Sequence, residues 1–148
     1  MTRVSRRPPR PALPGGAACP CGLGPAYADC CGRLHSAAAR ATTAELLMRS
    51  RYSAYAVRDE AYLLATWDAA TRPRRIDLDE GTEWIGLSVT DTVRGGPFDD
   101  EGVVEFVARY RHDGRRAELA ERSRFRRVGG HWVYVAPVPS LNPGGVRR

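Results

Sequence analysis

A chain of 148 residues with 43% hydrophobic side chains can bury one core of ordinary size and hardly a second, so one main domain with a small appendage is expected. Its 23 basic residues are all arginine, and the net charge of +6 is carried by Arg3, Arg6, Arg7, Arg10, Arg147 and Arg148, which leaves 17 arginines against 17 acids in between. A balanced body with basic ends argues against a nucleic-acid surface beyond weak, salt-sensitive tail contacts, and no stretch approaches the twenty or so apolar residues of a membrane span.

Residues 1–18 hold Pro8, Pro9, Pro11 and Pro14 and almost no large apolar side chain, so a disordered basic tail is expected there. Ser5-Arg6-Arg7 is not expected to act as a twin-arginine signal, because prolines stand where an apolar segment should follow. A cytoplasmic protein is expected, in agreement with cysteines kept reduced for metal.

All four cysteines fall in residues 19–32, as Cys19-Pro20-Cys21-Gly22 and Cys30-Cys31-Gly32. This spacing can gather four thiolates around one tetrahedral ion, with Gly22, Gly24 and Pro25 supplying the turn, and a full sulfur shell suits a structural zinc that performs no chemistry. Disulfides or free thiols are the alternatives, but the adjacent Cys30 and Cys31 would bridge only with strain. His35 stands four residues past Cys31 and is expected to be a polar surface residue rather than a substitute ligand, since four cysteines already fill the shell.

Thr42-Thr43-Ala44-Glu45 has the form of a capping box, and Ala44, Leu47, Met48, Tyr52 and Tyr55 recur at helical spacing, which predicts a helix over 43–57. Asp59 can cap a second helix through Ala61, Leu64 and Asp68, which must end by Arg72 because Pro73 forbids continuation. Beyond it, residues 83–92, 103–110, 116–128 and 131–135 read as strands, separated by Gly95-Gly96, Gly114 and Gly129-Gly130, so neighbours should be antiparallel. The layout is α+β: a zinc knuckle at 19–35, two helices and then a sheet within a domain at 40–136, and a tail at 137–148.

Val104, Phe106, Ala108 and Tyr110 form one apolar parity that should face the helices. In the next strand the parity of Leu119 and Phe125 also carries Glu121 and Ser123. A carboxylate near an apolar layer needs a partner, and Arg109, Arg122 and Arg124 are the candidates, which makes a structural ion pair the expected role of Glu121. The functional alternative is a pocket in which Glu121 with Arg109 serves as base or polar anchor, walled by Trp67, Trp84, Trp132 and Tyr134. No nucleophile–base pair is recognisable, and His112 and His131, beside turns, read as surface residues.

Cys-Pro-Cys-Gly-x-Gly, a tyrosine and Cys-Cys-Gly resemble the SEC-C zinc motif. Together with Met48 to Tyr55, Asp68 to Pro73, Val104 to Tyr110 and Glu121 to Phe125, the stretch 19–136 is similar to the bacterial YchJ-like family. The resemblance implies zinc held by Cys19, Cys21, Cys30 and Cys31, and a curved antiparallel sheet forming a cone like that of nuclear transport factor 2. The basic residues usual inside a SEC-C loop are replaced here by Pro25, Ala26 and Ala28. Three functions follow as expectations. A non-enzymatic zinc-bearing interaction or ligand-binding module leads, and the SEC-C resemblance implies protein partners, secretion chaperones or ribosomes among them. A small-molecule enzyme of the isomerase or dehydratase kind is the alternative, and a nucleic-acid binder using its arginine tails is the weakest.

Overall fold

The computed structural model describes residues 13, 14 and 16–139. The expected tails at 1–18 and 137–148 lie largely outside these residues. Where the two overlap, Ala18 bridges Ala26 and Tyr27 N donates to Ala17 O in the stretch expected to be disordered, and Pro137 and Val138, placed in the tail, extend the last strand.

A 3-10 turn at Tyr27–Asp29 leads into α1 (Cys31–His35), followed by α2 (Ala44–Val57) and α3 (Glu60–Ala65). Thr43, not Thr42, caps α2: its hydroxyl accepts from Leu46 N at 3.1 Å, while Glu45 turns outward to Arg49 at 2.9 Å instead of closing a capping box. Asp59 caps α3 by accepting from Tyr62 N. That helix stops at Ala65, well before Pro73, because Thr66 Oγ1 folds back onto Tyr62 O and the chain leaves to pair with the sheet.

The strands β1 (Thr82–Arg94), β2 (Glu101–His112), β3 (Arg115–Val128) and β4 (His131–Val138) form an antiparallel meander in sequence order. Asp113-Gly114 and Gly129-Gly130 turn two of the corners with positive φ at both residues, the geometry of a tight hairpin. Register shifts at Trp84/Gly86, Val89/Asp91 and Arg124/Phe125 bend the sheet. Beside β4, Thr66 O accepts from Tyr134 N and Asp68 N donates to Tyr134 O, both at 2.8 Å.

The concave face wraps around α2, and Ala44, Leu47, Met48, Val104, Phe125 and Trp132 form the main core. Helical spacing alone shows an apolar stripe, yet α2 also buries Ser50, Arg51, Ser53 and Ala54. The reason is that α2 is covered by the sheet, by α3 with the segment through Thr66, and by the cysteine knuckle, where small serines let the knuckle approach closely.

Candidate functional site

Two places concentrate chemistry. The first is the knuckle. Four sulfurs at about 2.3 Å from one ion would stand about 3.8 Å apart; here Cys21 Sγ and Cys30 Sγ are separated by 3.6 Å, and the ligand atoms of Cys19, Cys21, Cys30 and Cys31 all lie within 4.8 Å of one another. None is in a disulfide. The backbone makes this possible: Gly22 and Gly24 take positive φ, Cys19 N donates to Pro25 O, and a Cβ on Gly32 would stand 2.6 Å from Tyr27 O. The crowded thiols push one another apart in acidity, Cys19 downward through hydrogen bonds from Cys21 and Cys31, Cys21 up to about 12 and Cys31 upward through their bonds to Cys19. Only a cation would let all four ionise together, so the donor set fits a metal ion with a complete sulfur shell.

Three contacts join the knuckle to α2. Ser53 Oγ lies 3.5 Å from Cys19 Sγ, and Arg49 Nη1 donates to Cys21 O at 2.8 Å. The third corrects the expectation of a surface histidine. His35 packs on Tyr62 with ring centroids 4.6 Å apart, and its Nε2 donates to Ser50 O at 2.9 Å, leaving Nδ1 to meet the Tyr27 hydroxyl at 2.7 Å. Both ring nitrogens are engaged, so His35 is a clasp and not a ligand.

The second place is a cavity of about 230 Å³ between α2 and the sheet, lined among others by Arg51, Tyr52, Tyr55, Trp67, Trp84 and Glu121. Of the residues named from the sequence, Glu121, Trp67, Trp84 and Tyr134 come together here, and Arg109 and Trp132 do not. Strand register explains the first absence: Glu121 pairs with Phe106 on the inner face, whereas Arg109 pairs with Glu118 on the outer face and reaches Ser88 Oγ at 2.9 Å. Arg122 likewise turns outward, to Asp91 and Glu105. Trp132 faces inward but nearer the β3–β4 turn, where it joins the core, donates from Nε1 to Thr42 O and carries Arg127 over its ring at 4.8 Å.

The expected ion pair of Glu121 does not form among the described residues. Its Oε2 accepts from Ser123 Oγ at 2.6 Å and from the Tyr134 hydroxyl at 3.2 Å, while Oε1 receives no bond. The cavity's cation is one that sequence reading missed, Arg51, 6% exposed. Its Nη1 donates to Leu63 O and Thr66 Oγ1, both at 2.8 Å, and its guanidinium lies 4.9 Å from the Trp67 ring centroid and 4.7 Å from that of Tyr134. Burial lowers its pKa, yet arginine starts so high that it stays charged. Burial also raises the phenols of the walls, Tyr52 to about 12 and Tyr134 further, with Glu121 adding to the latter. Trp67 Nε1 is buried and has no acceptor. The signal available in the sequence was the spacing of Arg51, four residues past Leu47 and three past Met48, which places a charge on the apolar stripe of α2.

A four-cysteine knuckle that could hold a metal, stapled to the helix of an α+β fold with a curved antiparallel sheet, defines a SEC-C protein with a nuclear transport factor 2-like domain. The model of the YchJ middle NTF2-like domain matches residues 43–137, and the chain belongs to that family. It is 52% identical over 134 residues to a UPF0225 protein of Streptomyces avermitilis, spanning 90% of this chain and 91% of that one, and 53% identical over 124 residues to a UPF0225 protein of Chromobacterium violaceum, spanning 81% and 91%. Among solved structures, a SEC-C motif containing protein from Rhodopseudomonas palustris is similar at a TM-score of 0.70 and 37% identity, covering 82% of this chain and 97% of that one. Another SEC-C motif containing protein, from Psychrobacter arcticus, matches at 0.70 and 26%, covering 86% and 85%.

Proposed function

We propose that this protein is a zinc-stapled small-molecule-binding module: the knuckle is structural and the cone receives a ligand. The carrying observation is the cavity, whose aromatic walls enclose a buried cation and a carboxylate that are not paired with each other. Zinc is the ion that four thiolates with no open position suit best. Apolar concavities with a few placed polar groups are where small molecules bind. A second reading, an isomerase or dehydratase type of reaction, is favoured by one observation: Glu121 lines an apolar cavity, and its Oε1 accepts no hydrogen bond among the described residues, which leaves it open to take a proton.

The test uses p-xylene as a neutral probe and the emission of Trp67 and Trp84, which line the cavity. Binding should change the emission of the wild type and disappear in Leu119→Trp, which fills the cavity. Emission unchanged by p-xylene, or changed equally in the variant, overturns the ligand-binding reading. Elemental analysis of the same samples should give one zinc per chain.

A further inference from the structure

Resting on the ligand-binding reading, the geometry points to the chemical class of the ligand: a single-ring aromatic zwitterion, its anionic group held by Arg51 and its ammonium by Glu121. Four observations carry this. The volume, about 230 Å³, falls below the roughly 300–1,000 Å³ of sites for drug-sized molecules, so a single ring with short substituents is the fitting size. The walls are flat and aromatic: Trp84 stands 5.9 Å from Tyr52 and 6.1 Å from Tyr55 between ring centroids, and Trp67 meets Tyr134 edge-on at 5.0 Å.

The third observation is the guanidinium. Arg51 spends only Nη1 on the protein, and its other N–H groups have no acceptor among the described residues. A planar fork with one arm unused suits a carboxylate or similar oxyanion. Glu121 is the fourth. Both of its hydrogen bonds fall on Oε2, which leaves Oε1 for a donor from the cavity. The two charges are held apart by Tyr134, whose ring packs on Arg51 while its hydroxyl bonds Glu121. A simple anion would meet the repulsion of Glu121 and a simple cation that of Arg51, whereas a molecule carrying both groups pairs with each.

The experiment compares four probes of one shape, p-xylene, 4-methylbenzoate, 4-methylbenzylamine and 4-(aminomethyl)benzoate, by titration calorimetry at pH 7 on the full chain. The zwitterion should bind about tenfold tighter than either singly charged probe, the gain of one charge-assisted contact. In Glu121→Gln that advantage should vanish and 4-methylbenzoate should bind more tightly than it does to the wild type. In Arg51→Met, if it folds, 4-methylbenzylamine should become the best charged probe. A wild-type ranking without preference for the zwitterion, or one unmoved by Glu121→Gln, overturns the assignment. If p-xylene still binds, only the ligand class falls; if no probe binds, the ligand-binding reading falls with it.

Discussion

The imidazole of His35 donates to the main-chain carbonyl of Ser50 across 2.9 Å, and with it the knuckle is fastened to the middle of α2. His35→Ala should leave all four thiols in place, so the metal content should stay at that of the wild type. The lost bond removes a second donor from Ser50 O, which keeps its place in the hydrogen-bond ladder of α2, and should cost about 0.5–1.5 kcal/mol. Urea denaturation with parallel elemental analysis checks both halves.

Gly32→Ala disturbs the cysteine cluster without replacing a cysteine. The new methyl group would stand 2.6 Å from Tyr27 O, a backbone atom that cannot yield without opening the turn carrying Cys30 and Cys31. The variant should lose metal during purification under conditions where the wild type keeps it. Retention at the wild-type level would show that the turn relaxes freely.

Chelation should weaken the knuckle and leave the sheet standing, because the cysteines cluster with Tyr27 apart from the core of Leu47, Met48, Val104, Phe125 and Trp132. A structural zinc contributes on the order of 10 kcal/mol to the unit that encloses it and nothing directly beyond it. The far-ultraviolet circular dichroism should therefore keep most of its amplitude after metal removal, while amides of Ser50 to Ala54 on α2 exchange faster. Complete loss of the signal would place the knuckle inside the cooperative core.

Glu121→Gln should be nearly neutral for stability, within about 1 kcal/mol, because the amide oxygen can still accept from Ser123 and Tyr134. A buried ion pair broken at one partner would cost about 3–5 kcal/mol. Thermal melts separate these outcomes cleanly.

Asp68 sets an acid limit. The Arg126 guanidinium, helped by Ala70 N, holds its carboxyl below the ordinary value of 3.8. Because the folded pKa is the lower one, this stabilisation is fully present above about pH 4 and is lost as pH falls through the depressed folded value. Asp68→Asn should flatten the acid limb of a stability–pH curve below pH 4 relative to the wild type. An unchanged limb would assign the acid sensitivity to other carboxylates.

The cysteine cluster was legible in the sequence because its four members lie within thirteen residues and come together with no tertiary information. The strands and two of the helices were legible too, Thr43 and Asp59 marking the starts of α2 and α3 and glycine-bearing turns the hairpins, whereas the short α1 was not read. The inward aim of Glu121 followed from its alternation with Leu119 and Phe125, but its partners did not. Arg109 belongs to the parity opposite Phe106 and Ala108, so the same alternation that turns Glu121 inward turns Arg109 away. Arg51 sits at the helical spacing of Leu47 and Met48, but the groups that satisfy its charge come from α3 and the segment through Thr66, which the pattern of α2 does not report.

The two rungs between Tyr134 and residues 66 and 68 have a bearing on how copies of this molecule meet. They occupy the outward-facing donor and acceptor at the middle of β4, so strand addition from a second chain finds that edge already taken. Along β1 no other segment pairs among the described residues, and that edge relies on different protection: Glu83, Asp91 and Arg94 place charge along it, and two bulges keep it from lying flat. Fibril-like stacking is thus opposed by self-complementation on one flank of the sheet and by charge and twist on the other.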